Sequence, residues 1–91
     1  MKITNNESLS RLEVPVQGGL ATLRYRIEDG SIWLLHVEVP RESEGRGIAS
    51  ELSRFALELA KRRNLKPVPV CSFVAAYLHR HPEFSTPTPD I

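Results

Sequence analysis

The chain has 91 residues, about one domain, and a chain this short buries only ~60–65% of the surface it exposes when unfolded. That length argues against a two-domain enzyme, and at 41% hydrophobic and 25% charged the chain has the composition of an ordinary globular domain, which excludes a disordered chain. Twelve Lys and Arg against eleven Asp and Glu leave a formal charge of +1, too little for the whole surface to capture nucleic acid or an anionic membrane.

Cys71 is the only cysteine, so an intrachain disulfide and a Cys-rich zinc site are excluded, and a reducing compartment fits best. The stretch Met1–Glu7 lacks the apolar core of a signal peptide, and no apolar run approaches the ~20 residues of a membrane helix. These features predict a cytoplasmic protein.

In chain order, the polar residues 1–10 predict a flexible N-terminus. Leu12, Val14 and Val16 alternate with Arg11, Glu13 and Pro15 as in a half-buried strand, and Pro15, which has no N–H to donate, predicts an edge position. Gly18-Gly19 makes a turn into a second strand, Leu20 to Glu28, with Leu23, Tyr25 and Ile27 on one face. Asp29-Gly30 is a type I′ hairpin signal, because both central residues of that turn need positive φ. The following run, Ile32 to Val39, is nearly continuous in apolar residues and predicts a strand covered on both faces.

After Pro40 the period becomes helical. Ile48, Leu52, Phe55, Ala56 and Leu59 fall on one face of a helix, Asn64-Leu65 suits a left-handed C-terminal cap, and Pro67 forbids continuation. Val68, Val70 and Cys71 suggest a short strand interrupted by Pro69. A second helix is expected from Ser72 as N-cap to the residue before Pro82, with Phe73, Ala76, Tyr77 and Arg80 on one side. Beyond Pro82 the chain should be loosely draped, with a disordered tail over 85–91. The fold class is therefore α/β with a mixed sheet: strand, strand, strand, helix, strand, helix. Residues 11–84 form a single domain with antiparallel N-terminal strands and a right-handed parallel crossover.

The segment with chemical content is Glu44-Gly45-Arg46-Gly47-Ile48-Ala49-Ser50, between a buried strand and an amphipathic helix. Glycines allow a sharp turn there, and the first helical turn presents unpaired N–H groups at the positive end of the helix dipole, a setting suited to phosphate. The segment lacks the Lys-Ser/Thr of a P-loop and is too short for a dinucleotide fingerprint.

This stretch resembles the Gln/Arg-x-x-Gly-x-Gly/Ala signature of the Gcn5-related N-acetyltransferases, with Glu44 departing from it at the first position. Three runs resemble the very small acetyltransferase-like group of that superfamily: His36 to Pro40 with Glu44 to Ile48, then Val68 to Tyr77, then Arg80-His81-Pro82-Glu83. The resemblance implies acetyl-CoA as cofactor, with its pyrophosphate on the amides of Arg46 to Ser50, near Glu44 and Gly45, and its pantetheine along the strand at Val37 and Val39. It also brings Cys71, Phe73 and Tyr77 to the acetyl end. The implied activity is acetyl transfer to an unidentified amine, either a small amine or a protein lysine, by a monomer or weak dimer. A CoA-binding module acting through a protein partner is the alternative.

Each candidate also has a structural reading. Gly45 and Gly47 alone would be turn punctuation, Cys71 a small buried hydrophobe, and Phe73 and Tyr77 core residues. His36 and Glu38 share one side of their strand and suit a general base, or equally a satisfied polar pair. Direct attack by the amine is preferred over covalent transfer through Cys71, and Glu44 is expected to turn away from the phosphate. His79 and His81, two apart on a helix, face differently, which argues against a metal site.

Overall fold

The computed structural model describes residues 1–85. One five-stranded sheet runs in the order β1 (Thr4–Asn6), β2 (Arg11–Val16), β3 (Gly19–Glu28), β4 (Ser31–Glu38), β5 (Lys66–Pro69). The first four strands are antiparallel to their neighbours, and β5 lies parallel to β4. Helix α1 (Ile48–Arg62) makes the crossover and α2 (Ser72–Arg80) follows β5. The expected mixed-sheet architecture is present, with one strand more. None of the described helices is long and apolar enough to cross a membrane.

Local chemistry sets most boundaries. Asp29 and Gly30 take φ of 51° and 78°, as the hairpin reading requires. Asn64 ends α1 in the left-handed region at φ 55°, and the Leu65 N–H reaches back to the Ala60 carbonyl at 2.8 Å. At the other end of the crossover, β5 lies two residues earlier than expected. Its register puts Pro67 and Pro69 opposite Ile32 and Leu34. Lys66 and Val70 donate to the Gly30 and Leu34 carbonyls at 3.0 Å each, so the prolines occupy the positions that need not donate to β4. The N-cap of α2 is Cys71, one residue before the expected Ser72.

Both helices pack on the same sheet face, over Leu12, Val14, Ala21, Leu23, Tyr25, Ile32 and Leu34. Leu12, Leu23, Ile32, Leu34, Leu52 and Leu57 are fully buried, each contributing roughly 1.5–3 kcal/mol of transfer free energy. The opposite face is open, which corrects the expectation that the third predicted strand is covered on both sides: Trp33 and Leu35 are 39% and 38% exposed. A continuous apolar run marks a strand without saying which of its two faces the chain covers.

Residues 1–10 also depart from expectation. They hold β1 and a 3-10 turn, Glu7–Leu9. The reason is tertiary: the Tyr25 hydroxyl donates to the Asn5 side chain at 2.7 Å, and Arg63 pairs with Glu7 at 3.6 Å. Pro15 therefore sits in the second strand of the sheet, at a position past the end of β1, whose pairing with β2 stops at Glu13. Pro82–Phe84 form a 3-10 turn with Phe84 packed on the core. The expected disordered tail lies, apart from Ser85, outside the described residues.

Burial raises the Tyr25 phenol above its ordinary value of 10.0, and burial likewise raises Tyr77. A raised phenol holds its proton longer in the folded state than in the unfolded one, so the stability it contributes is complete below pH ~10 and is lost as pH rises further. Urea midpoints should be level from pH 7 to 9 and fall above about 10, less steeply in Tyr77→Phe. Tyr25→Phe should cost about 1 kcal/mol and speed amide exchange at Thr4–Asn6 while leaving β3 and β4 protected.

Candidate functional site

The site begins with an irregularity in β4. The β3–β4 register passes from Tyr25↔Leu34 to Arg24↔His36, so Leu35 is an inserted bulge residue. The insertion shifts the alternation by one. Ile32 and Leu34 before it, and Val37 and Val39 after it, pack on the core, whereas His36 and Glu38 stand on the open face. The two polar side chains share a side as expected, with His36 Nε2 3.8 Å from Glu38 Oε1.

The bulge coincides with the departure of β5. Strand pairing between β4 and β5 ends at Leu34, whose carbonyl accepts the N–H groups of both Val70 and Cys71, at 3.0 and 2.9 Å. The pairing of β4 with β3 continues to Glu38. The last turn of β4 therefore has a strand neighbour on one side only, and the sheet opens there into a notch.

The glycine segment closes the top of the notch. Residues Arg41–Ser43 form a 3-10 turn docked on the β2–β3 connection. The Ser43 hydroxyl, 2% exposed, donates to the Gln17 carbonyl at 2.7 Å. Gly18 takes φ of 94°, a backbone conformation that favours glycine, and the mobile end of the Glu42 side chain lies over it. Gly47, at φ 78°, caps α1 with no side-chain hydrogen bond, and its carbonyl accepts from Glu51 N–H at 3.0 Å. Helix geometry leaves the N–H groups of Ile48, Ala49 and Ser50 without intrahelical acceptors.

A cleft of about 630 Å³ occupies this corner. Of the residues singled out from the sequence, it brings together Val37, Glu38, Val39, Glu44, Ala49 and Phe73. Glu44 also lines the cleft. His36 stands beside Glu38 without lining the cleft, and Cys71 is half-buried against the core at the start of α2. Arg46 and Ile48 line a different cavity, with Met1 and Lys2.

Tyr77 is 7% exposed, as its core reading expects; it is not among the residues lining this cleft, and its ring stacks on His81 at 4.2 Å. The inward side of α2 carries Val74 and Tyr77, whereas Phe73, one turn before Tyr77, stays 38% exposed. Periodicity groups Phe73 with Tyr77, but only Tyr77 is buried while Phe73 lines the cleft. Sequence reading missed Gly18, Leu20 and Pro40 as cleft residues. The first and last looked like turn and strand-end punctuation, and nothing local marks Leu20.

The site thus belongs to an α/β domain in which a parallel pair of strands separates in front of a helix N-terminus. A family model described as GCN5-related N-acetyltransferase matches residues 11–86, and the chain belongs to this family. The solution structure of a GCN5-like protein from Staphylococcus aureus, assigned there provisionally as an N-acetyltransferase, superposes with a TM-score of 0.71 at 26% identity, covering 91% of this chain and 82% of that one. No curated protein matches significantly. Membership supports N-acetyltransferase activity in general, with the acetyl-CoA that the family uses.

Because the Ser43 hydroxyl is the buried tie between the glycine segment and the β2–β3 turn, Ser43→Ala should cost about 1–2 kcal/mol in urea unfolding. Amide exchange should rise most at Gly18 and from Arg41 to Gly47. A uniform rise over the sheet instead would show that the tie supports the whole fold and not this loop.

Proposed function

We propose that the chain binds acetyl-CoA in the notch and moves the acetyl group to an amine by direct attack. The observation that carries this reading is the position of the cleft, which joins the unpaired end of β4 to the start of α1 and has Glu38 in its wall. The fit is chemical as well as spatial: orphan N–H groups at Ile48 to Ser50 suit the anionic pyrophosphate, and the apolar surfaces of Val37, Val39 and Phe73 suit the pantetheine. Gly45 and Gly47 both have φ of 78°, and a Cβ on either would meet nothing within 4 Å, so the space in front of the loop is open. Acetyl-CoA supplies an activated acyl carbon, and the net change is formation of a C–N bond, loss of the C–S bond and release of the CoA thiol.

The side chains divide the remaining work. Leu34 directs its carbonyl toward β5, and after the inserted residue the same alternation turns the backbone N–H groups of Val37 and Val39 toward the notch, where they suit a developing oxyanion. Glu38 accepts the proton that the amine gives up, and His36, close beside it, positions the carboxylate. Cys71 borders the acetyl end without forming an acyl intermediate. An amine of pKa near 10 is mostly protonated at neutral pH, so transfer should rise with pH as it deprotonates.

Gly47→Glu places a side chain at a positive-φ position and a negative charge at the amide cradle, and acetyl-CoA binding by calorimetry should be lost. Unchanged affinity would overturn the cofactor site. Glu38→Gln should lower turnover at least about tenfold with acetyl-CoA affinity little altered, whereas a structural Glu38 would affect neither. Cys71→Ala should retain transfer, and intact-mass spectra of the wild type incubated with acetyl-CoA should show no acetyl adduct; an adduct confined to Cys71 and consumed by an amine would reverse the mechanism. If acetyl-CoA binds and no amine in a broad screen is acetylated, the binding-module reading takes its place.

A further inference from the structure

The open face of the sheet is ordered by charge. Registers pair Glu13 with Thr22 and Thr22 with Glu38, which puts two carboxylates in one cross-strand row. The next outward row pairs Arg11 with Arg24 and Arg24 with His36, so it is basic from β2 to β4. The row beyond pairs Arg26 with Trp33 and Trp33 with Val68, and the bulge residue Leu35 lies beside it. Arg11 is neutralised by Glu13 at 2.6 Å and Arg26 by Glu28 at 2.7 Å, whereas Arg24 has no carboxylate partner among the described residues. Along β3 the rows follow each other at two-residue spacing, about 6.8 Å, through Thr22, Arg24 and Arg26, while on β4 the inserted Leu35 makes the last step, His36 to Trp33, three residues.

The acidic row ends at Glu38, which lines the cleft together with Glu44. No Lys, Arg or His lines that cleft. The open face is thus continuous with the site, acidic where transfer would occur, basic one row away and apolar one row further. An extended polypeptide lying along the strands turns every second side chain toward the sheet at this same spacing. A small amine would use only the first of the three rows.

We propose that the acceptor is a protein lysine in an extended segment, with an acidic residue two positions from the lysine and an apolar residue four positions from it, on the same side of the lysine. The ammonium is drawn to Glu38 and Glu44, the acidic residue pairs with Arg24, and the apolar side chain covers Trp33 and Leu35. This inference rests on the acetyl-transfer reading for its chemistry, but the recognition surface is testable without it.

Capped synthetic peptides Lys-Ala-Glu-Ala-Leu and its reverse, each compared with an Arg-for-Glu control, test the spacing in both chain directions, with butylamine as the small-amine comparison. One of the two acidic peptides should exceed its control in kcat/KM by about tenfold or more, and the fluorescence of Trp33, the only tryptophan, should report the same ranking in binding without acetyl-CoA. Arg24→Glu, at an exposed position, should invert the ranking, and Arg24→Gln should level it. The inference is overturned if the ranking survives Arg24→Glu, if Trp33 responds to neither acidic peptide, or if butylamine is acetylated more efficiently than both. Failure of every amine, butylamine included, would sink the acetyl-transfer reading, and the Trp33 titrations would still decide the recognition surface.

Discussion

The inserted Leu35 is the constraint on which the site depends. A strand without it would keep Ile32, Leu34, His36 and Glu38 on one side, and the last two would then face the helices. A carboxylate held in that apolar layer without a partner would cost several kcal/mol. One extra residue reverses the assignment for the end of β4, returning Val37 and Val39 to the core and moving His36 and Glu38 into the open. The single insertion therefore preserves the packing and exposes the polar pair. It also re-aims the backbone of β4 where β5 no longer pairs with it.

A second tie comes from far along the chain. The glycine segment precedes α1 by sequence, yet it is tied to the β2–β3 connection through the hydrogen bond from Ser43 to Gln17. Such contacts hold the first turn of α1 against the end of β4. They create a cleft that has the positive end of the α1 dipole at one side and the Glu38 carboxylate at the end of β4, with Glu44 of the glycine segment also in its lining. An anionic donor and a cationic acceptor are complementary to those two sides.

The division between legible and illegible features follows the range of the forces involved. The Asp29-Gly30 turn, the amphipathic period of α1 and its left-handed ending at Asn64 depend on side chains within a few residues, and the sequence is sufficient for them. The glycine segment and the runs around Pro40 and Cys71 were likewise readable as a family resemblance, since they are contiguous words in the chain. The strand at Thr4–Asn6 was not, because polar residues give no periodic signal and the strand exists through its pairing with β2 and the hydrogen bond from Tyr25 to Asn5.

The sequence by itself determined that the segments of β2, β3 and β4 become strands and those of α1 and α2 helices, where α1 stops, and that Glu44 to Ser50 makes a glycine-bearing helix entrance. The tertiary structure alone decided which face of the sheet the helices cover, that Leu35 is an insertion, that Tyr77 turns into the core while Phe73 reaches the cleft, and that Gly18, Leu20 and Pro40 join the site. The physical reason is that turns, caps and amphipathic periods are settled by interactions between near neighbours. Register and facing are settled only when strands pair and a shared core chooses which side chains it can bury without stranding a charge.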